Sequence, residues 1–244
     1  MQIFFSLSSR IHREFIASCS NALLAGEKRL RRESKMFERR DVWMLGSEAD
    51  PWDPILRWYA RAINVLKGRP LTDPTSWDYL AAIHGTSIPR SQWPQGATWH
   101  ECQHDSWFFL PWHRIYLHYF ERIVRRTIKD LSGPDDWALP YWDYSDTHRP
   151  DVRKLPPAFR AQQMPSGDPN PLFVSQRRQQ NPDINGGGRL DATDVETGAA
   201  MAEEFFAGPA DPIAGFGGVS PVGITPEGLE AAWRTHPTAM SMWV

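Results

Sequence analysis

The chain has 244 residues, enough for one domain with a sizeable core. Its formal net charge of −2 gives no reason to expect nucleic acid or a membrane surface as a partner. No apolar stretch approaches the roughly 18 residues needed to cross a bilayer, and the two cysteines, Cys19 and Cys102, imply no disulfide framework. Tryptophan and proline are both abundant, at 12 and 21 residues, which suggests packed aromatics and rigid loops rather than long regular elements.

Residues 1–36 read as a basic, weakly patterned leader of unknown role, and 37–244 as the domain. Residues 11–25 place a basic residue before an apolar patch, but Ser18, Ser20 and Asn21 interrupt it, so it makes a poor secretion signal and leaves the compartment open. Met36 is an alternative start, since domain-like sequence begins just after it. Asp53 and Pro54 form an N-cap and first helical residue, and Gly68 closes that helix. Ile55, Tyr59, Ile63 and Leu66 recur on it at helical spacing. A second helix has the same design, capped by Asp73, started by Pro74 and ended by Gly85, with Trp77, Leu80, Ala81 and His84 on its buried face. A third spans about Trp112 to Leu131 and stops at Ser132-Gly133-Pro134. Its stripe is His113, Leu117, Phe120, Val124, Ile128 and Leu131. After Tyr144 the chain turns rich in Pro and Gly, which predicts long ordered loops with short helices near 158–163 and 191–206. No repeat and no strong run of alternating strands is present, so the fold class is mainly α.

Two histidines therefore fall on core-facing stripes of separate helices. His104 and His113 bracket a proline, Pro111. Nine steps at about 100° each would place these two on opposite sides of one continuous helix. Pro111 forbids such a helix, so His104 can sit in a loop that folds back while His113 lies at the start of a helix. With His84, three imidazoles can converge from three segments. Such a set suits copper or zinc and does not choose between them. A lone histidine on an apolar stripe is more often a hydrogen-bonded core residue, and only the clustering of three argues for a metal.

The stretch HDSWFFLPWHRIYLHYFER at 104–122, with PYWDYSD at 140–146, closely resembles the first-copper signature of the tyrosinase family. Arg40-Asp41-Val42-Trp43, Pro74-Thr75-Ser76-Trp77, Ala82-Ile83-His84-Gly85, Leu155-Pro156-Pro157-Ala158-Phe159-Arg160 and Asn170-Pro171-Leu172-Phe173 follow in the family's order, so the likeness spans roughly 39–230. The resemblance implies a four-helix bundle around a copper pair, each copper on three histidines, that oxidises phenols or o-diphenols to o-quinones with O2. It implies that His84, His104 and His113 hold the first copper. Cys102 stands two residues before His104, as in members with a cysteine–histidine thioether, and its alternative is a plain buried or exposed thiol. Asp143 is a candidate to orient a ligand imidazole, or equally a helix cap. His100, His118 and His148 are off the motif, and Trp107, Phe108, Phe109 and Trp112 read as core aromatics.

The chain departs from the family at its second copper. Of eight histidines only His236 follows His148, and no His-x-x-x-His pair occurs after residue 118. The expectation is a bundle incomplete at the C-terminus, at most one copper and impaired oxidase activity. Family likeness holds through Gly228-Leu229-Glu230 and then breaks. If the codons of Thr235, Pro237, Ala239 and Ser241 end in C, reading one base earlier converts this tail into Pro-(Pro or Ser)-His-x-His-Val-His-Val-Gly. That reading contains the expected histidine pair, so a frameshift near 231–235 is the expected cause, and the DNA sequence tests it. The rival readings are a non-catalytic copper- or O2-binding protein of haemocyanin type, a pseudo-enzyme, and a mononuclear zinc hydrolase. The last lacks an HExxH-like pair to supply a general base.

Overall fold

The computed structural model describes residues 36–102, 108–146, 148–149, 151–175, 177, 183–193, 195, 197–202 and 204. The chain divides into two units, Met1–Glu38 and Arg39–Val244, and the architecture below is that of the second. His104, Trp107, His236 and the tail from 205 onward lie outside the described residues, as does most of the 1–36 leader.

Helix α1, Pro54–Lys67, starts and stops where its sequence dictates. The Asp53 carboxylate accepts from the Ile55 N–H at 2.7 Å, and Pro54 occupies a position whose N–H would have had no helical partner. The Gly68 N–H closes the helix on the Asn64 carbonyl at 3.2 Å. Its inner face is broader than the four-residue stripe, adding Leu56, Ala60 and Ala62 to Tyr59, Ile63 and Leu66.

Helix α2, Trp77–His84, begins three residues later than the sequence suggested. The Ser76 hydroxyl caps it, accepting from the Tyr79 N–H at 3.1 Å. Asp73 instead spends its carboxylate on Thr75, accepting from its N–H at 2.8 Å and its hydroxyl at 2.6 Å. That local turn holds the chain out of the helix until Ser76.

Helix α3, Phe109–Asp130, begins earlier than Trp112 and takes Pro111 into its first turn. First-turn N–H groups have no intrahelical partner, so proline is tolerated there although it would break the interior. At the far end Gly133 N–H bonds the Ile128 carbonyl at 2.8 Å and Ser132 N–H bonds Lys129 at 2.9 Å, a Schellman closure. Ser132 occupies its left-handed position, with φ of 62°. Leu131, expected on the buried stripe, is the C-cap and is exposed.

α1 packs against both α2 and α3. Trp137 lies within this core, stacked on Tyr59 at 5.7 Å, and its indole N–H donates to the Ile55 carbonyl at 3.0 Å. Glu121 of α3 is buried yet fully engaged. It accepts from Arg125 at 2.7 Å and from the Leu139 N–H at 3.3 Å, and it pairs with Arg39. Beyond Tyr144 order comes from side chains bonded to backbone. The buried Asn170 amide donates to the Ala158 and Ala161 carbonyls, both at 2.7 Å, and its oxygen accepts from Leu172 N–H at 2.9 Å. The short helices there, α4 (Pro157–Arg160) and α5 (Gly198–Met201), fall within or beside the two expected segments. Among the described residues there is no strand beyond isolated bridges, and the fold is helical with long loops.

Candidate metal centre

His84 is the last residue of α2, where helix carbonyls are left without helical donors. The returning chain uses them. His100 N–H bonds the Ala82 carbonyl and Glu101 N–H bonds that of Ile83, each at 3.1 Å. His100 takes a positive φ of 60° in this turn. Cys102 is thereby brought beside His84 and is fully buried. His113, in the second turn of α3, completes the group. Its Nε2 lies 3.2 Å from His84 Nε2 and 3.2 Å from Cys102 Sγ. One donor atom from each of the three falls within 4.8 Å of the others, a spacing that one metal ion can bridge.

The hydrogen bonding selects the ligand atom. His113 Nδ1–H donates to the Phe109 carbonyl one turn back, at 2.7 Å. The proton is thus committed to Nδ1, and the Nε2 lone pair faces the cluster, as in protein metal sites generally. Burial holds the His113 imidazole below its ordinary range, favouring the neutral form that binds metals. Burial also pushes the Cys102 thiol up to about 12, so without a metal it stays protonated at neutral pH.

Aromatic rings fix these side chains. Trp112 packs edge-on to His84 at 5.9 Å and to His113 at 5.0 Å, and it stacks on Tyr116 at 5.1 Å. The Tyr116 hydroxyl donates to the Leu80 carbonyl at 2.8 Å, tying α3 to α2 just below the histidines. Phe109 contacts His113 at 4.3 Å, whereas Phe108, expected in the core, is exposed at the helix start. His84 also lines a mainly apolar cavity of about 410 Å³ that includes Tyr59, Ile63, Trp77 and Phe120.

Of the residues singled out from sequence, His84 and His113 meet, and Cys102 joins them. His104 lies outside the described residues. Asp143 accepts from the Ser145 hydroxyl at 3.0 Å. His100, His118 and His148 are exposed. The His100 ring faces the backbone of Thr86 and packs on Trp93 at 5.9 Å. Sequence reasoning had not placed Cys102 against His113. Its place depends on the end of α2, where the Ala82 and Ile83 carbonyls accept from the returning chain.

The fold and cluster define a helical protein with a His-Cys-His group between two helices that could hold a metal ion. Residues 74–213 match the common central domain of tyrosinase. A tyrosinase of Hahella sp. (strain CCB-MM4) is 36% identical over 191 residues, covering 69% of this chain and 39% of that protein. A chloroplastic polyphenol oxidase of Spinacia oleracea is 35% identical over 113 residues, 46% of this chain and 17% of that one. A solved Aspergillus oryzae pro-tyrosinase aligns with 57% of this chain and 30% of its own, at 26% identity and a TM-score of 0.46. The chain belongs to the tyrosinase family, a family of copper enzymes. It spans 39% or less of the length of these curated relatives. No helix among the described residues is long and apolar enough to cross a membrane.

Proposed function

We propose that this chain carries the first-copper half of an oxidoreductase that converts phenols or o-diphenols to o-quinones with O2. The observation that supports it most is the meeting of His84 and His113 through Nε2, with the His113 proton held on Nδ1 by Phe109. His104 is the third ligand in this reading, by its match to the family motif. Copper, when bound, supplies the redox and O2 chemistry that imidazole and phenol side chains lack. The chain's own residues orient the ligand rings, through Trp112 and the Phe109 carbonyl.

Cys102 has two roles open to its sulfur, and the proposal assigns it a thioether to the His104 ring. Forming that C–S bond removes one hydrogen from each partner, with O2 as the acceptor. A tryptic peptide two hydrogens lighter and inert to alkylation after denaturation bears this out. A Cys102 that alkylates fully once unfolded contradicts it.

Residues 1–244 contain ligands for one copper set. By themselves they turn over phenols weakly or not at all, because the reaction needs a second set. The second reading is copper or O2 binding without catalysis. Reconstitution with Cu(II), followed by electron paramagnetic resonance, tests the site. Imidazole nitrogen couplings that weaken in both His84→Ala and His113→Ala support it. Unchanged couplings in those variants, or zinc displacing copper at equal concentration, argue against it. Quinone formation from a catechol separates an enzyme from a binding protein.

A further inference from the structure

The outer face of α3 carries a cluster of charge that the copper reading does not use. Arg122 and Arg126 lie one turn apart, and with Arg69 from the α1–α2 connection they line a recess of about 430 Å³. Tyr119, 58% exposed, and Ile123 form its apolar wall. Among the described residues no carboxylate lines the recess itself, although Asp73 beside Thr75 and Asp130 beside Arg126 stand at its margin.

Arg69 is built into place. It donates through Nη1 to the Thr75 carbonyl at 3.1 Å and hydroxyl at 2.7 Å, and through Nη2 to the Thr127 hydroxyl at 3.1 Å. Both hydroxyls are committed elsewhere as donors, Thr127 to the Ile123 carbonyl at 3.0 Å and Thr75 to Asp73 at 2.6 Å. The guanidinium is thus held rigid by acceptors while part of its five-donor fork stays available. Arg126 is balanced by Asp130 at 3.0 Å. Arg122 has no carboxylate partner among the described residues. Like charges at i,i+4 on a helix repel by a few tenths of a kcal/mol, and a third guanidinium beside them adds to that repulsion. A solvated surface tolerates such a cluster, but a bound oxyanion is the group that would relieve it.

We infer that this recess is a binding site for a tetrahedral oxyanion, a phosphate or sulfate group, gripped by Arg69, Arg122 and Arg126 with the Tyr119 hydroxyl as a further donor. Guanidinium forks match such anions through paired, charge-assisted hydrogen bonds. The source is either the free ion or a monoester whose organic part lies on Tyr119 and Ile123. The site is independent of the metal centre.

Isothermal titration of the full chain with inorganic phosphate, sulfate, phenyl phosphate and chloride, at matched ionic strength, tests this. Saturable one-to-one binding of phosphate and sulfate, absent with chloride, is the expected result. Arg122→Gln should weaken it about tenfold or more, the worth of a charge-assisted hydrogen bond. Arg61→Gln, on an exposed arginine of α1, should leave it unchanged. Equal affinity for phosphate and phenyl phosphate identifies the free ion as the ligand, and tighter binding of the ester identifies a monoester. Heat that follows ionic strength whatever the anion, or wild-type affinity in Arg122→Gln, overturns the inference.

Discussion

The 2.7 Å hydrogen bond from His113 Nδ1 to the Phe109 carbonyl leaves Nε2 as the atom of that ring that could meet a metal. The acceptor is a backbone oxygen, so side-chain substitution at Phe109 leaves it in place and the tautomer survives. At the other end of α3 a single residue works against its own backbone. Ser132 sits at φ 62° in the Schellman turn, a conformation that costs an L-residue roughly 1 kcal/mol. Ser132→Gly should therefore stabilise the chain by about 0.5–1 kcal/mol, read as a higher urea midpoint at unchanged slope. Gly133 next to it allows no such change. A Cβ there would meet Ile128 Cγ2 at 2.5 Å and Trp58 Cε3 at 2.9 Å, so Gly133→Ala should lower the midpoint.

At the scale of elements, the boundary of α2 separates what sequence pattern conveys from what it leaves open. Asp73-Pro74 has the same form as Asp53-Pro54, yet only the latter starts a helix. The difference is Thr75, whose N–H and hydroxyl both capture the Asp73 carboxylate, leaving Ser76 to cap. Ser76→Ala should cost about 1 kcal/mol through loss of the cap and loosen the helix that ends in His84. Amide hydrogen exchange at Tyr79 should rise in that variant and change less in Asp73→Ala. Equal effects of the two would show that Asp73 shares the capping role. The α1 limits, the breaking of α3 after Leu131 and the inward placing of His84 and His113 were all legible in periodicity and capping residues. The position of Cys102 was not, because it depends on the His100–Glu101 segment bonding α2 carbonyls, a tertiary contact without a local signature. Nor was the burial of Glu121, a charged residue that pattern alone assigns to solvent.

For the molecule as a whole, Glu121 is the polar centre of the core beside the site. It joins Arg39, Arg125 and the backbone of Leu139, so it ties α3 to both the first described loop and the segment after Gly133. Glu121→Ala would leave Arg125 without its buried counter-charge and should cost about 3 kcal/mol, the low end for such pairs because Arg39 reaches solvent. Chemical denaturation reads this directly, and a change below about 1 kcal/mol would mean that water already screens the network. The cavity of about 410 Å³ beside His84 is lined mainly by apolar side chains, and the chain covers only 39% of its Hahella relative.

The central claim is a single copper held by His84, His104 and His113, and elemental analysis of copper per purified chain, run beside catechol oxidation, tests it most directly. The account predicts one copper per chain, lost in His84→Ala and His113→Ala, with little or no quinone formed. Two coppers with brisk oxidation, copper kept by both variants, or zinc in its place would contradict it.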